Sequence, residues 1–140
     1  MSTESLVYVG FTDGASCHTQ NLASITWVIY SPKGLLVSSG GVCLGPSTNN
    51  VVEYSVVIEL LHDAISHGIL SLEVRLDSQL VIRKLKNRYC VCDPTLLCRF
   101  LWARILERQF DFITYFHIPR SSNHVSDAYA NYVLDWHLSH

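Results

Sequence analysis

Hydrophobic spacing changes period along this chain, and those changes limit the folds open to it. Residues 5–13, LASITWVIYS at 22–31, and LLVSSGGVCL at 35–44 read as three strands in succession. The second alternates cleanly, with Ala23, Ile25, Trp27 and Ile29 against Ser24, Thr26, Val28 and Tyr30. Pro32-Lys33-Gly34 marks the turn before the third, and Gly40-Gly41 inside it predicts a bulge or bend. At residue 50 the period becomes helical: Val52, Val56, Val57, Leu60, Leu61, Ala64 and Ile65 form one stripe. Thr48 or Asn49 suits the N-cap of this helix, 50–67, and Gly68 its C-terminal cap. Alternation returns at 71–77, with Leu72, Val74 and Leu76 on one face. Helices are expected over 79–87, over 94–109 opened by Asp93-Pro94, and over 124–137; a fifth strand is expected over 112–118. The order β-β-β-α-β-α-α-β-α defines an α/β fold that begins with an antiparallel meander.

The 140 residues suffice for one domain, 1–140, with 1–4 and 138–140 expected to be peripheral or disordered. Hydrophobic residues make up 49%, too many for a disordered chain. No apolar run has the length of a membrane span, and MSTES lacks the pattern of a signal peptide, so the expectation is a soluble, intracellular protein without a membrane partner. Five cysteines, with Cys90, Cys92 and Cys98 close together, match neither a zinc ribbon nor a thioredoxin motif and read as reduced thiols. The net charge of −2 argues against a generic nucleic-acid binder, yet seven of the ten basic residues fall between 83 and 108. Arg83, Lys84, Lys86 and Arg88 lie within six residues; such a run is either a solvated helix face or a patch for phosphates. Trp27, Trp102 and Trp136 are expected in the core or half-buried.

Four acids stand in unusual places. Asp13 shares the parity of Val7, Val9 and Phe11, which predicts a carboxylate on a core face. Glu53 lies on the apolar stripe of its helix, four, seven, eight and eleven residues before Val57, Leu60, Leu61 and Ala64. Asp77 ends the fourth strand, and Asp127 lies near the start of the last helix. Singly, each has an ordinary structural reading: a turn, a core ion pair, an N-cap, a helix-dipole partner. Jointly, four carboxylates converging at strand ends would repel one another. Divalent cations, which seek oxygen ligands, resolve that conflict.

These motifs, in this order, resemble the ribonuclease H family, type 1, over about positions 6 to 134. FTDGAS resembles its first-strand motif, TNNVVEY its first-helix motif, LDSQLV its fourth-strand motif and HIPRSSNHVSD its closing segment. The resemblance implies a mixed five-stranded sheet flanked by helices. The chain is most similar to the compact form in plant genomes and gypsy-type retrotransposon polyproteins, through Asp77 to Val81, Tyr89, Asp93-Pro94, Leu96, His117 to Arg120, Asn123 and Asp127. It lacks the family's basic protrusion, for which the run at 83–88 is a partial substitute.

The resemblance further implies an endonuclease that hydrolyses the RNA strand of RNA/DNA hybrids, leaving 5′-phosphate and 3′-hydroxyl ends. Asp13, Glu53, Asp77 and Asp127 would bind two Mg2+ ions, with Mn2+ as a substitute. His117 matches the family's mobile histidine; His124 is the other candidate. Gly14, Ala15 and Ser16 would read the ribose 2′-hydroxyl with Glu53, Asn49, Asn50 and Gln79 would touch the minor groove, and Thr48 would hold a DNA-strand phosphate. Asn123 completes the expected substrate-binding set. The isolated domain is expected to be a monomer. The principal alternative is a catalytically silent module that binds hybrid or serves as a scaffold in a polyprotein or complex; retention of all four acids weighs against it. Transposases and integrases of the same superfold lack the TNNxxE and DSQ motifs, and a sugar-kinase type relative needs a second domain.

Overall fold

In the computed structural model the described residues are 6–17, 22–45, 49–76, 85 and 94–119. Three strands follow one another as the alternation predicts: β1 (Tyr8–Cys17), β2 (Leu22–Tyr30) and β3 (Leu36–Leu44). Both pairings are antiparallel, with Asp13 opposite Thr26 and Trp27 opposite Gly40. The β2–β3 turn is closed by Gly34 N–H donating to the Ser31 carbonyl at 2.9 Å and by Ser31 N–H donating to the Leu35 carbonyl at 2.7 Å. Gly34 takes φ +83° there, which only glycine adopts without strain.

Helix α1 (Asn49–Ser66) then crosses the sheet and delivers the chain to β4 (Ser71–Leu76). Its end is a Schellman motif. Gly68, at φ +72°, donates its N–H to the Ile65 carbonyl at 3.0 Å, while Ile69 N–H donates to Ala64 at 3.1 Å. Ile69 is buried after this turn, so the cap also supplies a core contact. Helix α2 (Pro94–Glu107) packs on α1 and leads to β5 (Phe112–His117). Strands β4 and β5 run parallel to β1, giving a mixed five-stranded sheet in the order β3-β2-β1-β4-β5.

The core lies between this sheet and the two helices. Val57, Leu60, Leu61 and Ala64 of α1 are fully buried against Ile25, Ile29, Leu72 and Val74. Each such leucine contributes about 1.5–3 kcal/mol relative to exposure.

Three sequence expectations need correction. The face of β1 that meets α1 carries Gly10, not the Val7, Val9 and Phe11 parity: a Cβ on Gly10 would stand 2.8 Å from Leu60 Cδ2. Phe11 lies on the other face, edge-on to Tyr30 at 5.9 Å with Arg75 over its ring at 5.6 Å. The even positions Tyr8, Gly10 and Thr12 carry little apolar signal, because the partner that faces them, Leu60, needs a small residue at position 10 rather than a large one. Second, the register shift between β2 and β3 falls at Ile29/Tyr30 rather than at Gly40-Gly41. Gly40 instead makes room for an indole, since its Cβ would meet Trp27 Cζ2 at 2.2 Å. Third, Trp102 is 53% exposed beside the groove between α1 and α2, where its ring lies edge-on to His62; Trp27 is buried as expected. The expected helix at 79–87 falls outside the described residues apart from Leu85, which is helical and buried. The helix at 124–137 and Trp136 lie outside them altogether.

Candidate active site

The parallel pair β1–β4 sits at the centre of the sheet, where the strand order departs from chain order. In α/β sheets the strand ends beside such a point are where ligands bind. Asp13 lies on β1 three residues beyond Gly10 and is only 3% exposed. Glu53 is half-buried in the second turn of α1, on the same stripe as the fully buried Val57, Leu60 and Leu61.

The Gly10–Leu60 approach sets these two acids at one level along the sheet. Helix α1 runs antiparallel to β1, because it leads into Ser71, and Leu72 pairs with Tyr8 at the start of β1. From the contact point, Asp13 is about 10 Å along the strand, at roughly 3.3 Å per residue for three residues. Glu53 is about 10.5 Å back along the helix, at roughly 1.5 Å per residue for seven. Both displacements point the same way. Glycine at position 10 thus lets the helix close on the strand and carries Glu53 to the end of the sheet that holds Asp13.

The third strand end at this edge belongs to β5. His117, its last residue, pairs with Leu76 and is exposed; Ile118 N–H donates to the Leu76 carbonyl at 3.0 Å and extends the ladder by one step. The neighbours of Asp13 in β1 are extended and paired: Gly14 with Ile25, Ala15 with Ser24, Ser16 with Ala23. Asn49 and Asn50 open α1. The structure therefore brings Asp13, Glu53 and His117 to the same end of the sheet. Thr48, Asp77, Gln79, Asn123, His124 and Asp127 lie outside the described residues, as do the side chains of Ala15, Ser16, Asn49 and Asn50.

Asp13 and Glu53 are hard oxygen donors, and a carboxylate buried as deeply as Asp13 is costly unless its charge is compensated. This chemistry suits an oxygen-seeking divalent cation. Among the described residues no three His, Cys, Asp or Glu side chains form a metal cluster, and two of the four motif acids fall outside that set.

Comparison with known proteins decides the family. The profile of the family described as reverse transcriptase-like matches residues 11–133. Ribonuclease HI of Halobacterium salinarum is 38% identical over 125 residues, which cover 89% of this chain and 63% of that protein. The crystal structure of the Halobacterium salinarum type 1 ribonuclease H is 37% identical with a TM-score of 0.85, covering 92% of this chain and 98% of that one. The chain belongs to the ribonuclease H family.

Other ribonuclease H structures are similar over comparable spans. The N-terminal ribonuclease H domain of a Mycobacterium tuberculosis bifunctional protein is 32% identical with a TM-score of 0.86, covering 94% of this chain and 95% of that one. A compost-derived type 1 ribonuclease H, solved in complex with an RNA/DNA hybrid, is 30% identical with a TM-score of 0.85, covering 94% of this chain and 99% of that one. The chain spans 63% of the length of the curated Halobacterium relative and 25% of the whole mycobacterial protein. No helix among the described residues is long and apolar enough to cross a membrane.

A side-chain network that no motif announced joins α2 to β5. Tyr115 of β5 donates its hydroxyl to Glu107 Oε2 at 2.7 Å, and Arg104 Nη1 donates to Glu107 Oε1 at 2.8 Å. Burial and the adjacent Glu107 carboxylate push the Tyr115 phenol well above its ordinary range. Only the opposite charges of Arg104 and Glu107, three apart on a helix, were visible beforehand.

Proposed function

We propose that this chain hydrolyses the RNA strand of RNA/DNA hybrids as an endonuclease dependent on a divalent metal. The observation that carries this reading is Asp13, a carboxylate buried within β1 just beyond its last pair with β4, Phe11 with Arg75, in a chain whose fold is that of ribonucleases H. One relative of that fold has been solved with an RNA/DNA hybrid bound.

Asp13 and Glu53, with Asp77 directly after β4 in the sequence and Asp127, would hold two magnesium ions, with manganese as a substitute. Bound there, such ions supply positive charge that activates a water and stabilises the departing 3′-oxygen, so that the products carry 5′-phosphate and 3′-hydroxyl ends. Burial of Asp13 keeps water from competing with that charge. Glu53 also faces the hybrid, where its carboxylate accepts from a ribose 2′-hydroxyl. The extended backbone at Gly14, Ala15 and Ser16 reads the same group, and the missing Cβ of Gly14 lets the sugar come close. Asn49, Asn50, Gln79 and Asn123 contact the minor groove and its flanks, and Thr48 holds a phosphate. His117, exposed beside the end of β4, takes up or releases the proton as product leaves.

The test is cleavage of an end-labelled RNA strand in a hybrid, with magnesium or EDTA. The same RNA single-stranded and in an RNA duplex is the control. Cutting is expected only in the hybrid and only with metal. Asp13→Asn is expected to lower the rate by about 10²–10³-fold or more while the protein stays folded, the loss typical of one preorganised electrostatic group. A folded wild-type chain that binds hybrid but never cuts it, in either metal, would overturn the enzyme reading and leave the silent binding module.

A further inference from the structure

The chain carries −2 overall, so the place of each cation decides how it can hold a polyanion. Five of the ten basic residues belong to the described residues, and the fold separates them. Lys33 sits in the β2–β3 turn just beyond Tyr30, which pairs with Val9 near the start of β1, and Arg108 directly follows α2. Both lie at the end of the sheet opposite Leu76 and His117. Arg75 donates to Glu73 at 2.6 Å, and Arg104 donates to Glu107 at 2.8 Å. Arg99 differs from all four. Among the described residues it forms no ion pair. Its guanidinium makes two hydrogen bonds, both long: Nε donates to Ser55 Oγ and Nη1 to the Thr95 carbonyl, each at 3.4 Å.

Arg99 also stands at the right end of the molecule. Helices α1 and α2 lead into β4 and β5, which run parallel and start level, Ser71 beside Phe112. The first turns of both helices therefore lie at the other end of the sheet, with Glu53 and His117. The contact with Ser55 fixes the level, since Ser55 lies about 3 Å along α1 from Glu53, at roughly 1.5 Å per residue. The Ser55 hydroxyl donates to the Val51 carbonyl at 2.6 Å, so toward Arg99 it can only accept. It orients the guanidinium without neutralising it. Packed helix axes are about 8–10 Å apart, so a cation on α2 stands on the order of 10 Å from a strand gripped at Glu53. Along a nucleic-acid strand, at about 3.4 Å per step, that distance is roughly three base pairs.

We propose that Arg99 is a further substrate-binding residue, whose guanidinium takes one backbone phosphate of the hybrid roughly two to four base pairs from the cut. Two phosphate oxygens accept both arms of the fork, and charge-assisted bonds replace two long neutral ones. This rests on the hybrid-cleaving reading above.

The test uses a short labelled hybrid whose cut is first mapped with the Asp13 chain. Its binding is then followed by fluorescence anisotropy across a salt series in the cleavage-silent Asp13→Asn background. Arg99→Met is expected to weaken binding about five- to tenfold at moderate salt, and to flatten the slope of log affinity against log salt by about 0.7–0.9, the share of one phosphate. Hybrids carrying a single neutral methylphosphonate, placed in turn along either strand, locate the contact. One of them, neutral roughly two to four base pairs from the cut, is expected to bind the parent about five- to tenfold more weakly, yet to bind Arg99→Met as well as the unmodified hybrid does. With Asp13 intact, Arg99→Met raises KM and leaves kcat within about twofold, the pattern of lost uniform binding.

Unchanged affinity and slope in a folded Arg99→Met chain would overturn the proposal. So would equal losses in parent and variant at every neutralised phosphate, which would leave Arg99 acting through the general field alone. A parent chain that binds no hybrid at any salt overturns the proposal together with the reading beneath it, whereas normal parental binding beside an unchanged variant overturns the proposal alone.

Discussion

Tyr54 follows Glu53 on α1 and is fully buried, and among the described residues its hydroxyl has no hydrogen-bond partner. A buried hydroxyl without a partner costs about 1–3 kcal/mol, whereas the ring beneath it stabilises the core. Tyr54→Phe is therefore expected to leave stability unchanged or raise it by up to about 1 kcal/mol in urea unfolding. A loss of more than that would mean the hydroxyl is satisfied after all. Burial pushes the Tyr54 phenol from 10.0 up to about 12, against the pull of Arg104, and burial with the Glu107 carboxylate raises Tyr115 as well. The folded state thus holds both phenolic protons more tightly than the unfolded chain. That stability is fully present below pH 10 and is lost as pH rises, through about 12 for Tyr54. Melting temperature is expected to fall from pH 10 upward, and Tyr54→Phe to shrink the fall. An equal fall in the variant would assign the whole effect elsewhere. The burial of Asp13 and the place of Glu53 on the apolar stripe of α1 were legible in the sequence, because each breaks the apolar pattern of its element. The Tyr115–Glu107–Arg104 network was not, because its members follow no period and meet only after β5 has docked.

At the scale of elements, turns and periods transferred well from sequence to structure. Pro32-Lys33-Gly34 closes the hairpin, and Gly68 caps α1 within one residue of the expected place. Glycines that serve a distant partner could not be read that way. Gly10 and Gly40 sit within strands, and each is small for the sake of one side chain, Leu60 or Trp27, elsewhere in the chain. The Trp27 indole cannot easily retreat, since its Nε1–H donates to Asp63 Oδ2 at 2.8 Å, the same oxygen that takes the Ser38 hydroxyl at 2.7 Å. One carboxylate on α1 thus ties the helix to β2 and β3. Gly40→Ala is expected to cost about 2–4 kcal/mol, overpacking of roughly 1–3 plus about 1 for the strained hydrogen bond. Gly45→Ala, with nothing near its Cβ among the described residues, is the control and should stay within about 0.5 kcal/mol. Comparable losses in the two variants, measured by chemical denaturation, would remove the indole from the explanation.

For the whole molecule, the same acids that make the site useful set a condition on its stability. Asp13 is buried in the sheet and Glu53 half-buried on α1, a cost in free energy that a cation bound as proposed would return. A ligand that binds only the folded state stabilises it by RT ln(1 + [L]/Kd), about 2.7 kcal/mol at a hundredfold excess over Kd. For a chain of 140 residues that is a rise in Tm of roughly 8 °C, at about 3 °C per kcal/mol. Magnesium, titrated in the absence of any nucleic acid, is expected to raise Tm in wild type along a saturating curve. Asp13→Asn should flatten that curve, and in EDTA it should melt no earlier than wild type, because the substitution removes a buried charge rather than a useful contact. The measurement reads the metal site without relying on cleavage. Equal metal responses in the two proteins would place the cation away from Asp13, whereas a variant that melts earlier in EDTA would make Asp13 a structural residue first. A wild-type response that Asp13→Asn abolishes would tie the burial of that carboxylate directly to the cation, and with it the reason a charge is tolerated inside the first strand.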